Sequence, residues 1–316
     1  MIPYESILLE CVRSDERVMV LTAENRGHMR SAPALMGDRF IDVGIAEQTM
    51  IGVAAGLATR GRIVVTHALA SFITLRAFEF IRDDVGIPAL PVIMVGMVPG
   101  VLSDANGPTH QAIDDVGLMR GIPNISVFCP ADEEDLRIGL REVIFSGKPY
   151  YIRYTNAPAS VDHSKVFAPG VAEVVVGPTI GRRDVTILTY GTLLRQAVLA
   201  ASKLTAQGIV VQVINMRTLK PIDEQRILEA SFNSDLVVTL EDHLLTGGLY
   251  SIVSEILVRN RRSVDVLPIG FDTWFRPALL PEVLDHERLS GEHVARRIAE
   301  QLQRNDERRS MEISYV

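Results

Sequence analysis

Glu47 is the residue best placed to do chemistry. It sits in Arg39 to Leu57, RFIDVGIAEQTMIGVAAGL, where a β-like apolar run (Phe40, Ile41, Val43, Ile45) gives way to small and aliphatic residues from Met50 to Leu57. A carboxylate at the junction of two packed elements is costly unless it is paired, because burial favours its protonated form. Two readings fit. One is a helix-start carboxylate stabilised by the positive helix end. The other is an acid that exchanges a proton with a buried ring nitrogen. His110 is the second candidate. It follows Gly107 and Pro108 in GPTHQ, which puts it on a turn at a strand end. Ligand sites in open parallel sheets lie at such carboxyl ends. A neutral imidazole there can shuttle a proton or bind a substrate oxygen, and a capping or surface role is the plainer alternative. Phe72, in HALASFITLRAFEFIRDDV, offers a face for a planar ring. Its alternative is a core position on an amphipathic helix, since Phe72, Leu75 and Phe78 follow helical spacing. His67 and His243 also fall at strand ends, and His28 lies on a Gly/Arg-containing loop.

The elements that must position these residues alternate. Apolar, β-branched runs predict strands at Val18 to Leu21, Ile63 to Val65, Pro91 to Val95, Ile125 to Phe128 and Tyr150 to Ile152. Helical patterns fall between them, over Glu47 to Thr59, Phe72 to Val85 and Ala131 to Phe145. That alternation predicts an α/β fold, a mainly parallel sheet with helices on both faces. From Tyr154 to Gly181 the period lapses among Pro158, Pro169 and Pro178, which reads as a linker with a short strand near Val171 to Val176. A second, smaller α/β unit follows. Its strands are expected from Val185, at Ile209 to Ile214, Leu236 to Leu240 and Val264 to Leu267. Its helices are expected at Leu193 to Gln207, Asp223 to Ala230, Gly248 to Arg259 and Gly291 to Gln303, with a mobile tail from Arg304. The expected domains are 1–158 and 183–316, joined by a linker at 159–182.

A chain of 316 residues suits two domains, and 47% hydrophobic with 22% charged residues is ordinary for a globular α/β protein. The net charge of -7 argues against a nucleic-acid surface. The two cysteines, Cys11 and Cys129, are far apart and show no metal spacing, so reduced thiols are expected. The N-terminus has no basic segment followed by a long apolar run, and no apolar run is long enough for a membrane span; a cytoplasmic protein is the expectation.

Three strings, in order, carry a resemblance. DVGIAEQ resembles the glutamate motif of the pyrimidine-binding domain of the transketolase family. GPTHQAIDDVGLMRGIPN (Gly107 to Asn124) and VFCPADEEDLR (Val127 to Arg137) resemble that family's next segments. The later stretches TYGTLLRQAVLAASKL, VINMRTLKPID, LEDH and GGL resemble the C-terminal domain that transketolases share with β subunits of 2-oxoacid dehydrogenases. The similarity covers nearly the whole chain but only the C-terminal half of a full-length transketolase, as in the second subunit of a split one. It implies thiamine diphosphate as cofactor, with Mg2+. By resemblance Glu47 activates the cofactor at its pyrimidine ring, Phe72 stacks on that ring, and Leu69 and Ile45 wall it. His110 assists proton transfer and contacts substrate, together with Asn106, Arg153, Asn156 and His28. The family's diphosphate motif, a GDG sequence followed by an Asn that together hold a hard cation, is missing from the sequence. The resemblance therefore implies a partner subunit that carries the diphosphate domain and most of the Mg2+ site, in an α2β2 assembly with the cofactor between subunits.

The departures bear on substrate. Asn106 stands where sugar-phosphate transketolases usually have an Asp toward a sugar hydroxyl. Val98 stands near a family His that meets the acceptor phosphate, and Asn156 where a phosphate-binding Arg is usual. A dianionic phosphate calls for charge-assisted donors, which Val98 and Asn156 do not supply. Arg26, Arg30 or the partner are the candidates to compensate. The expected substrate is unphosphorylated, or has its charge held differently, which points to specialised metabolism. Three functions stand side by side: a two-component transketolase-like enzyme that moves a two-carbon ketol unit from a ketose-type donor to an aldehyde-type acceptor; a 2-oxoacid dehydrogenase β subunit or acyl-transferring relative; and a non-catalytic assembly subunit, against which an intact Glu47 argues.

Overall fold

The computed structural model describes residues 3–25 and 27–314. The run VMVLT is buried along its whole length and forms β1 (Val18–Thr22). Around it lie β2 (Phe40–Asp42), β3 (Ile63–Leu69), β4 (Val92–Met97), β5 (Ser126–Phe128) and β6 (Tyr150–Arg153). Their order is β5-β6-β4-β3-β1-β2, with every neighbouring pair parallel. Strands buried on both faces need cover on both faces. Helices Pro3–Ser14 and Glu133–Ile144 supply one side, setting Leu8, Val12, Leu136 and Leu140 against Val18, Val20, Val65 and Ile93. Helix Glu47–Thr59 and the turns after β3 supply the other, with Met50, Ile51, Ile73 and Ile81 against Met19, Leu21, Val64 and Met94.

The second sheet holds β7 (Glu173–Val176), β8 (Arg183–Thr189), β9 (Val211–Asn215), β11 (Ser234–Leu244) and β12 (Asp265–Phe271), in the order β12-β11-β8-β9-β7. Only β7 runs antiparallel, to β9. Helices Leu194–Thr205 and Gly291–Ser314 close one face around Ala197, Leu204, Val238 and Ile298. Helices Glu224–Asn233 and Leu249–Arg259 line the other, and their core runs on into that of the first sheet. The alternation of strands and helices is therefore the architecture, a two-unit α/β chain.

Four features differ from the sequence expectation. The short strand in the proline-rich stretch, β7, belongs to the second sheet. A three-residue strand inside VINMRTLKPID, β10 (Thr218–Lys220), crosses back and pairs antiparallel with β5, Thr218 opposite Phe128. The helix expected over Phe72 to Val85 is wound mostly in wide π turns, at Phe72–Arg76 and Ile81–Gly86, with a short α segment at Phe78–Phe80. The final helix does not stop at Gln303 to leave a mobile tail but continues to Ser314.

The seam between the two units is polar and closed. Arg153, at the end of β6, is buried with Asp115 and Asp242. Its Nε donates to Asp115 Oδ2 at 2.9 Å, its Nη1 to Asp242 Oδ1, and its Nη2 to the carbonyls of Ala112 and Asp242 at 3.2 and 3.0 Å. The Tyr151 hydroxyl donates to Asp115 at 2.6 Å, and the Val101 N–H to Asp242 at 3.2 Å. Gly100 makes that approach possible, since a Cβ there would lie 1.9 Å from the Asp242 carboxylate. A second clasp holds the connecting stretch. His163 lies 3.0 Å from Asp132, which caps helix Glu133–Ile144, and 2.8 Å from Glu173 on β7. Burial alone would lower its pKa, but the two carboxylates outweigh burial and raise it to about 10. Cys11 and Cys129 are both free and buried. Among the described residues no helix is long and apolar enough to cross a membrane.

Candidate active site

Glu47 opens helix Glu47–Thr59, and its preceding residue, Ala46, offers no side-chain cap. The turn into the helix is fixed from behind: Asp42 Oδ1 accepts from the N–H groups of Gly44 and Glu24, each at 3.0 Å. The Glu47 side chain is 2% exposed and meets Arg76, whose Nη1 donates to Oε2 at 2.6 Å. The Arg76 side chain is 39% exposed, so its far end reaches water. Its guanidinium also lies over the Phe72 ring, 4.3 Å from the centroid. The wide turn from Phe72 to Arg76 explains the stacking, because lengthening the turn brings residue i+4 more nearly above residue i than an α turn does.

Phe72 also meets His110, edge to face, with ring centroids 5.0 Å apart. His110 is half-buried on the expected turn: Gly107 takes φ +82 and its carbonyl accepts from the His110 N–H at 2.9 Å. Thr109 Oγ1 lies 3.0 Å from His110 Nδ1. Beside these residues opens a cleft of about 270 Å³, lined by Ala23, Glu24, Asn25, Ile45, Glu47, Leu69 and Phe72. Leu69 is half-buried, whereas Ile45 is 72% exposed and stands at the rim. A buried carboxylate, an aromatic face and an apolar wall around one cleft suit a planar heterocycle with a protonatable nitrogen. The structure thus brings Glu47, Phe72, Leu69, Ile45 and, through Phe72, His110 together.

It does not bring every candidate there. His28 is half-buried with its ring edge against Tyr154, 5.2 Å between centroids, and burial lowers its pKa, helped by nearby Arg30. Asn106 and Asn156 are exposed and outside the lining of the cleft, and Arg30 is exposed as well. Arg26 lies outside the described residues. Val98 is half-buried with φ +56. Arg153, read as a substrate contact, is committed to the buried seam with Asp115 and Asp242. That placement replaces the substrate reading with a structural one, because its donors already point at protein acceptors. Arg76 was not a candidate from sequence. Its one signal is that it is the only cation in the otherwise uncharged run ALASFITLRAF. His67, behind the cleft, sets Nε2 against the Asn25 carbonyl, and burial brings its pKa down to about 4, so the ring is neutral. Among the described residues no cluster of three or more His, Cys, Asp or Glu side chains is arranged to hold a metal.

Comparison with known proteins adds identity to geometry. Residues 4–158 match the model of the transketolase pyrimidine-binding domain, and residues 179–294 that of the transketolase C-terminal domain. The chain is 37% identical over 261 residues to the 6-deoxy-6-sulfo-D-fructose transketolase subunit SqwH of Clostridium sp. (strain MSTE9), covering 81% of this chain and 80% of that one. It is 35% identical over 266 residues to the 1-deoxy-D-xylulose-5-phosphate synthase of Dictyoglomus thermophilum, covering 83% of this chain but 42% of that protein. Among solved structures, a split-gene transketolase described as an inactive beta4 tetramer superposes with a TM-score of 0.86 at 33% identity, over 95% of this chain and 97% of that one. Both family domains in order, and a fold shared nearly end to end with a split-gene relative, place this chain in the transketolase family.

Proposed function

We propose that this chain is the pyrimidine-side subunit of a two-component transketolase that transfers a two-carbon ketol unit between a ketose-type donor and an aldehyde-type acceptor. One observation carries the reading: the buried Glu47 carboxylate at the edge of a cleft that Phe72 and Leu69 line. Thiamine diphosphate, when bound, supplies the electron sink for breaking and making a carbon–carbon bond. This chain's residues would do the rest. Glu47 holds a proton for the ring nitrogen at its carboxylate. Phe72 bears one face of the ring, and Leu69 and Ile45 keep water from it. His110, beside Phe72, takes or returns the proton of a substrate hydroxyl. His28, Asn106 and Asn156 meet the substrate further out. The diphosphate and its Mg2+ belong to a partner, in an α2β2 assembly located in the cytoplasm. The split-gene relative of matching length, described as an inactive beta4 tetramer, supports that assignment.

The charged terminus of the substrate, donor or acceptor, is proposed to be something other than a phosphate. Val98 and Asn156 offer no positive charge there, and a sulfonate, as in the substrate named for the SqwH relative, carries one negative charge where a phosphate carries nearly two. The test is a donor screen with the reconstituted complex: 6-deoxy-6-sulfofructose, fructose and fructose 6-phosphate. The expected result is a phosphate donor with no advantage, its kcat/KM within about an order of magnitude of the others or below them. A strong phosphate requirement contradicts the proposal. A 2-oxoacid in the same screen tests the acyl-transfer alternative, which gains if the complex decarboxylates it and transfers no ketol unit.

A further inference from the structure

We propose that Gln111 is a positioning residue for His110, and that through it the second α/β unit acts on the reaction although none of the described residues lining the cleft belongs to that unit. The inference rests on the reading of His110 as the group that handles the substrate proton. The segment from Val98 to Ile113 has little regular structure of its own: one 3-10 turn, Gly100–Ser103, and three left-handed residues, Val98, Gly100 and Gly107. A β-branched residue at positive φ, as at Val98, persists only where its surroundings hold it. Much of what holds this segment comes from the second unit. The Ala278 N–H donates to the Asp104 carbonyl at 3.3 Å, and the Leu280 N–H to the Asp104 carboxylate at 3.0 Å. The Leu244 N–H donates to the Ile113 carbonyl at 2.7 Å. Between these anchors one side chain reaches across from beside His110: Gln111 Nε2 donates to the Phe275 carbonyl at 2.8 Å.

The acceptor is the firm end of this link. Phe275 is buried, with its ring 5.3 Å from that of Phe271 between centroids, so its carbonyl sits on packed core. His110 is the end that needs placing. It is half-buried on a turn, where its N–H meets the Gly107 carbonyl and its ring edge meets Phe72. The Gln111 bond fixes the main chain on the other side of the imidazole and so sets how the ring approaches the cleft. A shift of about 1 Å in a reacting group is enough to cost 10²-fold in rate. Packing alone does not account for a glutamine here. Gln111 is 2% exposed, and its Oε1 is buried with no hydrogen-bond partner in the protein. A buried amide with one end unpaired adds little net stability, and an apolar side chain of similar length would fill the space without that penalty.

The test compares Gln111→Met, Gln111→Glu, His110→Ala and the double variant Gln111→Met/His110→Ala in the reconstituted complex. The donor is whichever of 6-deoxy-6-sulfofructose, fructose and fructose 6-phosphate the wild type uses best. The expected result is a kcat lower by roughly 10- to 100-fold for Gln111→Met, with the thiamine diphosphate Kd and the thermal midpoint of the wild type, and with faster hydrogen exchange confined to residues 109–112. In the His110→Ala background the same change has no further effect, because the two residues act as one unit. A buried glutamic acid holds its proton and can donate it to the Phe275 carbonyl. The activity of Gln111→Glu, relative to wild type at the same pH, therefore recovers as the pH falls. A wild-type kcat in Gln111→Met, a loss that multiplies with that of His110→Ala, or a loss shared by cofactor affinity and midpoint overturns the positioning role and leaves the role of His110 standing. Full turnover by His110→Ala, or no turnover of any of the three donors by the wild-type complex, overturns the reading of the site and the positioning role with it.

Discussion

Glu47→Gln lowers ketol transfer by the reconstituted enzyme by roughly 10²- to 10⁴-fold, the range that a positioned acid–base group contributes. Glutamine keeps the shape of the side chain and hydrogen-bonding capacity toward Arg76, but it has no proton to exchange at neutral pH. Affinity for thiamine diphosphate should change far less than turnover, because Phe72, Leu69 and the partner's diphosphate site remain. Stability should also change little, by about 1 kcal/mol or less, since Arg76 is partly exposed and can be solvated again. Turnover, cofactor Kd and thermal midpoint measured on one preparation distinguish the roles of this residue. A large fall in stability with turnover intact would return Glu47 to a helix-start carboxylate.

Arg153→Met has the opposite signature. Arg153 is buried with Asp115 and Asp242, and both carboxylates depend on it for charge compensation. Methionine fills part of the space but leaves two buried carboxylates with only the Tyr151 hydroxyl and the Val101 N–H. Breaking a buried ion pair from one side costs about 3–5 kcal/mol, which for a chain of this size lowers the thermal midpoint by roughly 10 °C. The loss should fall on the seam between the sheets, so hydrogen exchange should rise in Gly100–Ser103 and around Asp242 before it rises in β1. An unchanged midpoint with a raised donor KM would restore the substrate-contact reading for Arg153. Asn156→Ala, at an exposed position just past the same strand, is the matched control for stability.

What the sequence made legible follows from how each feature is encoded. The sheet strands are buried on both faces and read as continuous apolar runs, so β1, β3, β4 and β8 were visible as local patterns. The short pieces were not. β10 spans three residues and helix Asp115–Arg120 six, so neither completes two periods of an amphipathic signal. The segment after β3 has helical spacing at Phe72, Leu75 and Phe78. The wide turns rotate these positions apart, and Leu75 ends up 50% exposed. The charged tail reads as fraying, yet i,i+4 pairs such as Gln301–Asn305 and Gln303–Glu307 carry the helix onward. Glu47 could be singled out because its unusual setting is local to one string. Its partner could not, since Arg76 lies 29 residues away and only the packing of helix against turn joins them. Arg153 misled for the same reason: a lone cation after a strand looks like a surface donor until tertiary packing delivers Asp115 and Asp242.

The central claim is that this chain holds one half of a cofactor site and a partner subunit the other. The most direct measurement is calorimetric titration of thiamine diphosphate with Mg2+ into this chain alone, into a diphosphate-domain partner alone, and into their complex. Saturable binding only in the complex, at one cofactor per pair of unlike subunits, is the predicted result. Tight binding to this chain alone, or turnover by the partner without it, would contradict the claim.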